Sequence, residues 1–299
     1  MHKIGYKLIA LFFLIAALLS AACDTPKKPP IKIVANSWIG YSPLFYAKDQ
    51  GWLDEINIEV SNVVSLGESM MTYQTGHFQA ITGTQYEYQK LHEKHSDLIP
   101  IIMFDRSNGG DMVMSNQSIA DLQNTSDTID VFLEIDSINH LVFKDFINAY
   151  QLSDKNFNYI NKDQLRIVTQ LKAKQASQPT IIITYVPYNF ELEQQGFKTV
   201  ASTKDTLDII VLDALYTSKQ VFLENQETFK QLKTQINRAL KDLEQDPKAY
   251  YTVVKPYLEE VSYKDFKAAL NDIEWLNQTL PDKVTEKMNH INFPSRDLL

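Results

Sequence analysis

Cysteine is nearly absent: the chain holds one, Cys23, in 299 residues. No disulfide can form within it, so the fold stands on packing alone, and no thiol in the body of the chain is available as a nucleophile. Glycine is scarce, at nine, and no glycine-rich loop of the kind that cradles phosphates is present. Arginine occurs only at positions 106, 166, 238 and 296, and the formal charge is −8. An acidic balance excludes a nucleic-acid surface, which needs basic side chains to match a phosphate backbone. There is no Gly-x-Ser-x-Gly elbow and hence no serine-triad signature. His92 and His95 stand three apart around Glu93 with no third histidine near them. Two ligands do not close a metal site, so this pattern reads as a solvated helix face, and no metal is expected. His77 and His140 are isolated. Carboxylates are plentiful, but no spacing among them picks out an acid–base pair.

Long apolar runs are missing except near the start. Leu8 to Leu19 is apolar, follows Lys3 and Lys7, and is too short for a comfortable membrane span. Ser20, Ala21 and Ala22 are small, and Cys23 follows. This stretch resembles a bacterial lipoprotein signal over residues 1–22, with lipidation (palmitate or another acyl chain) of the Cys23 thiol. Residues 23–30 then read as a short extended tether, DTPKKPP after the cysteine. Acyl chains would hold the chain on a membrane without a spanning helix. Losing Lys3 and Lys7 with the leader takes the formal charge from −8 to −10. Asp24 resembles an inner-membrane retention signal. The expected location is therefore the periplasmic face of the inner membrane, or the outer face of the cytoplasmic membrane where there is only one.

From Ile31 to Val211 short apolar runs alternate with helical patterns. Strands are expected at 31–35, 58–60, 80–82, 99–104, 112–114, 128–132, 180–184 and 209–212. Such alternation implies α/β architecture with mostly parallel sheets. Thr180 to Val186 is β-branched and bounded by Pro179 and Pro187, which suits a buried central strand. From Leu215 onward the chain reads as helical. Phe229, Leu232, Ile236, Leu240 and Leu243 recur at helical spacing, and Ser262 with Asp265 forms a capping pattern.

The most informative stretch is Ile31 to Leu53: an apolar strand, a polar and aromatic turn, and a helix. Ser42 reads as the helix N-cap, Pro43 suits the first helical position, and Gly51 suits the C-terminal end. Residues 36–42 then lie where strand ends and helix amides meet, a natural place for a small polar ligand. These residues carry a resemblance. Gly40-Tyr41-Ser42-Pro43-Leu44, Ala47, Gly51 and Leu53, then LGESMMTYQTGHFQAITGT and the block FDRSNGGD (104–111), are similar to the periplasmic substrate-binding proteins of the nitrate/sulfonate/taurine and thiamine-precursor type. The match is dense over 31–111 and looser to about residue 213. Where that family usually carries an acid before Ala80, this chain has Gln79. A pyrimidine synthase of the same fold family depends on a cysteine-rich motif, which this chain lacks.

The resemblance implies two lobes, residues 31–110 with 207–299 and residues 111–206, joined by two crossings that make a hinge. It implies that a small molecule is held between them and that the chain is a binding protein and not an enzyme, with an enzyme on the same scaffold as the less favoured alternative. Candidate contacts follow from it. Ser37, Trp38 and Tyr41 lie on the first strand-to-helix turn. Thr82, Thr84 and Gln85 follow the third strand and either cap the next helix or hold a ligand oxygen. Arg106 and Asp111 flank a Ser-Asn-Gly-Gly turn that is either a hinge or a contact, and Arg106 is the best bidentate donor for an anion. Ser137 caps a helix or donates to the ligand. Tyr185 and Tyr188 follow the TIIIT strand. Three ligand classes stay open: a sulfonate or other oxyanion, an amine, or a flat pyrimidine-like ring. Trp38, Tyr41, Tyr86 and Tyr185 can stack on a ring or cage an alkylammonium, with Glu87 or Asp111 as counter-charge. The expected partner is the permease of an ABC importer or, alternatively, a membrane sensor such as a histidine kinase or cyclic-dinucleotide enzyme. The chain is expected to act as a monomer, with no cofactor.

Overall fold

Aliphatic and β-branched runs become strands where both faces can be buried. The computed structural model describes residues 28–171, 178–259 and 261–299; the leader and Cys23 lie outside them. In chain order the strands are β1 (Ile31–Asn36), β2 (Ile58–Val63), β3 (Ala80–Thr84), β4 (Leu98–Ser107), β5 (Asp111–Ser115), β6 (Ile129–Leu133), β7 (Phe157–Asn161), β8 (Thr180–Tyr185), β9 (Lys198–Ser202), β10 (Leu212–Ser218) and β11 (Ile273–Trp275). They form a six-stranded sheet, order β11-β4-β10-β3-β1-β2, and a five-stranded sheet, order β7-β6-β8-β5-β9. Helices flank both, and helices dominate the chain after β10.

The two-sheet α/β architecture matches the expectation, but both sheets are mixed. Parallel pairing is confined to β1 with β2 and β3, and to β6 with β7 and β8. β10 runs antiparallel to β3 and β4, and β5 antiparallel to β8 and β9. The reason is topological. β1, β3 and β4 share one direction, so β4 leaves the first sheet at the same end as β1 and β3. β5 and β10 each open their sheet after a crossing from the other one, entering at that shared end, and so run the opposite way.

The residue pattern implied helix from Leu215 onward; the structure contradicts this up to Ser218. β10 continues to Ser218 and sits in the middle of the first sheet, with Leu212 through Thr217 all buried. Pairing on both edges and packing on both faces override the helical pattern there. β7, β9 and β11 escaped sequence reading for related reasons. β7 is a polar edge strand, β9 is an edge strand with a single buried residue, and β11 is a three-residue edge strand paired with β4. The long helix Gln226–Gln245 does bury Phe229, Leu232, Ile236, Leu240 and Leu243. Each contributes roughly 1.5–3 kcal/mol through burial. Ser262 accepts from the Asp265 amide, as its pattern implied.

Two crossings link the sheets: residues 108–110 between β4 and β5, and residues 203–211 between β9 and β10. They are bonded to each other. The Ser107 and Thr203 hydroxyls lie 2.7 Å apart, the Gly109 amide donates to Thr203 Oγ1 at 2.9 Å, and the Ser107 amide donates to the Val211 carbonyl at 3.0 Å. Gly109 takes φ +119°, which favours glycine, and a Cβ on Gly110 would lie 2.7 Å from Trp38 Cη2. Residues Ile31–Leu299 form one compact unit, and one apolar cluster runs between the sheets, joining Trp38 and Phe104 to Met112 and Tyr185.

Candidate functional site

The site grows from the ends of β1, β3 and β4 facing those of β6 and β8. β1 ends at Asn36, and a single 3-10 turn, Ile39–Tyr41, leads into the helix Ser42–Asp49. Ser42 does not cap that helix. It lies inside the first turn, beside Pro43, and its hydroxyl accepts from Tyr250 at 3.1 Å. The turn instead directs two aromatic donors inward. Trp38 Nε1 donates to Asp105 Oδ1 at 3.3 Å, and the Tyr41 hydroxyl donates to Asp213 Oδ1 at 2.5 Å. Gly40 permits this approach, because any Cβ there would overlap the Asp105 carboxylate and the Trp38 indole nitrogen.

From the second sheet comes Tyr185, at the end of β8. Its ring meets Trp38 edge to face, with centroids 5.8 Å apart, and Tyr188 at 5.4 Å. Its hydroxyl donates to Glu134 Oε1 at 3.2 Å. Glu87 bridges the sheets. It accepts from the Thr84 amide at 2.9 Å, from the Thr84 hydroxyl, and from the Ile138 amide at 3.1 Å. Between these groups lies a cavity of about 10 Å3, lined by Asn36, Trp38, Leu66, Thr84, Asp111, Ile138, Tyr185, Val211 and Asp213. That volume is about one water.

The electrostatics are one-sided. Among the described residues Glu87, Asp105, Asp111, Glu134 and Asp213 are buried carboxylates, and no lysine, arginine or histidine is buried. Removing a charge from water without a counter-charge is costly, so burial favours the protonated forms. Burial pushes Asp111 up to about 7, offset in part by its bond to Ser107 and reinforced by the Glu87 charge. Burial pushes Glu134 up to about 8, with the Tyr185 bond working against it. Burial raises Asp105 well above the usual range, and the charge of Asp111 adds to it. Asp213 is raised likewise, by burial and then by Asp105. Several buried polar atoms have no protein partner: both amide atoms of Asn36, Asp105 Oδ2, Glu134 Oε2 and the Tyr188 hydroxyl.

The residues singled out in the sequence separate into two groups. Trp38, Thr84, Asp111 and Tyr185 line the cavity; Tyr41 and Tyr188 stand behind its wall. Ser37 lies beside them and donates to Glu259 Oε1 at 3.2 Å. The others are engaged elsewhere. Gln85 clamps the returning crossing, donating to the Ile210 carbonyl at 2.5 Å and accepting from the Leu212 amide at 2.9 Å. Arg106 is tied by a cross-strand ion pair to Glu274 and is not among the residues that line the cavity. Thr82 is buried on β3 two residues before Thr84, is not among the lining residues, and its hydroxyl has no protein partner. Ser137 stabilises its own turn, donating to the Glu134 carbonyl at 2.9 Å and accepting from the Asn139 amide at 3.2 Å. Sequence reading missed Asn36, Asp105, Glu134 and Asp213. Asp213 within IIVLDALY and Glu134 within IDVFLEI carry a usable signal, a carboxylate set in an apolar run.

No family model matches the sequence, and no curated protein matches it. Solved structures do. The ligand-binding component of an ABC-type import system from Staphylococcus aureus, with zinc bound, superimposes with a TM-score of 0.70 at 12% identity, covering 91% of this chain and 96% of that one. The alkanesulfonate-binding protein SsuA from Xanthomonas axonopodis pv. citri, bound to MOPS, gives 0.69 at 12% identity over 92% and 99%. The nitrate-binding protein NrtA from Synechocystis PCC 6803 gives 0.61 at 12% identity over 81% and 70%. The chain has the periplasmic-binding-protein fold.

Proposed function

We propose that this chain is an extracytoplasmic solute-binding lipoprotein, anchored through Cys23, that captures a small polar organic molecule between two lobes and delivers it to an ABC importer. The lobes are residues 31–110 with 207–299, and residues 111–206. The observation that carries this reading is the small cavity at the facing strand ends, where Asn36 in the lining and Asp105 bonded to the lining Trp38 keep buried polar atoms without protein partners. Solute-binding proteins of importers share the fold. Contacts from both lobes, Trp38 on one and Tyr185 on the other, would form together only in the shut state, so a solute shifts the population toward closure. The chain binds and releases its solute unchanged.

Two experiments test this. A solute that binds only the folded state raises the melting temperature, so a thermal-shift screen over sulfonates, nitrogen oxyanions, amines, pyrimidines and amino acids should return at least one hit. A screen with no hit in any class contradicts solute capture. Cys23→Ser should move the protein from the membrane fraction to the soluble one; unchanged fractionation removes the lipid anchor.

A further inference from the structure

The cleft assigned above to a solute has a charge pattern that narrows what the solute can be; this inference rests on that assignment. We infer that the bound solute is a small organic cation carrying N–H donors, seated against the Trp38–Tyr185 pair and neutralised by Asp111 and Asp213, the two sheets parting to admit it because the cavity as it stands has room for about one water. Both carboxylates line the cavity. Asp105 stands directly behind them, its Oδ1 held by Trp38 and its Oδ2 unpartnered. No basic side chain lines the wall, and Arg106, which an anion would need, is paired with Glu274. An anion placed here would meet carboxylates and an edge-to-face aromatic pair with no cation among the lining residues to offset them. A cation finds the reverse: opposite charge at hydrogen-bond range and two π systems able to attract it.

An independent observation points to a polar ligand. Asn36 is 1% exposed, lines the cavity, and has neither its carbonyl oxygen nor its amide nitrogen bonded within the protein. Buried amides are ordinarily satisfied. An ammonium or guanidinium group supplies N–H donors to the Asn36 oxygen and to the two carboxylates at once, which a quaternary ammonium cannot.

The test uses the purified full-length chain and named probes: methylammonium, putrescine, guanidinium and agmatine as N–H cations, tetramethylammonium as a cation without donors, and methanesulfonate and nitrate as anions. At about 10 mM, at least one N–H cation should raise the melting temperature by several degrees while tetramethylammonium and both anions leave it unchanged. Titration calorimetry in two buffers of different ionisation heat should show proton release on binding, because a cation favours the ionised carboxylates. Asp111→Asn should weaken the same cation roughly tenfold or more, with the unliganded protein still melting cooperatively. Trp38→Ala should weaken it as well. Binding of an anion with proton uptake, or of tetramethylammonium as tightly as the N–H cations, overturns the assignment. If no cation binds while another solute raises the melting temperature, the cation class falls and solute capture stands; if no solute of any class binds, both fall.

Discussion

The crossings and the cleft lie a few ångströms apart and treat their polar groups in opposite ways. At the crossings every polar group named above is matched: Ser107 with Thr203, Gln85 with the Ile210 carbonyl and the Leu212 amide, and the Asn108 and Gly110 amides with the Asp272 carbonyl. In the cleft, Asn36 has no partner, and Asp105 and Glu134 each leave a carboxylate oxygen unpaired. Matched groups fix one geometry, which a hinge needs on either side of its moving dihedrals. Unmatched buried groups make the empty protein less stable than it would be with apolar side chains there. They are what a solute would satisfy.

The largest test of this contrast is pH. Asp111 and Glu134 hold their protons up to about 7 and about 8 in the folded protein, whereas in the unfolded chain they release them near 4. Between those values the unfolded chain binds fewer protons than the native one, so stability falls as pH rises. Unfolding free energies of the empty protein from urea titrations at pH 5 and pH 9 should differ by on the order of 7 kcal/mol, with the acid side more stable and its midpoint higher. Equal midpoints would mean that the cleft carboxylates are solvated or paired, and the contrast would disappear.

Gln85→Ala comes next. It strips the returning crossing of both side-chain bonds and leaves the Leu212 amide and Ile210 carbonyl unpaired, which should cost about 3 kcal/mol of unfolding free energy. A loss under about 0.5 kcal/mol would show that the crossing does not depend on the clamp. The smallest effect has the opposite sign. Asn36→Leu replaces an unpaired buried amide by an apolar group of similar size and should leave the empty protein unchanged or up to about 1 kcal/mol more stable. A clear destabilisation would place a partner on Asn36 and weaken the argument that its amide awaits a ligand.

Much of this arrangement is written in local pattern. Ile31 to Leu53 displays its strand, turn and helix through Pro43 and Gly51, and Gly51 does take a left-handed φ of +74°. The apolar run at β8 and the apolar stripe of Gln226–Gln245 are legible for the same reason: period and composition agree. β10 and β11 are not, because their state is decided by neighbours far along the chain rather than by their own residues. The site divides in the same way. Trp38 and Tyr185 could be placed from their positions at strand ends. Arg106 could not, because its fate depends on Glu274, 168 residues away on the partner strand. Gln85 likewise turned from candidate contact to clamp through partners 125 and 127 residues distant. Single carboxylates were visible, Glu87 and Asp111 as counter-charges and Glu134 and Asp213 as acids in apolar runs, but their gathering was not, since burial rather than spacing brings them together.

Small-angle scattering tests the central claim most directly. The radius of gyration is measured with and without a saturating concentration of the solute that gives the largest thermal shift. Two lobes shutting on a solute predict a smaller radius and a narrower pair-distance distribution when it is bound. Superimposable profiles in the two states, with the solute shown to be bound, would contradict closure.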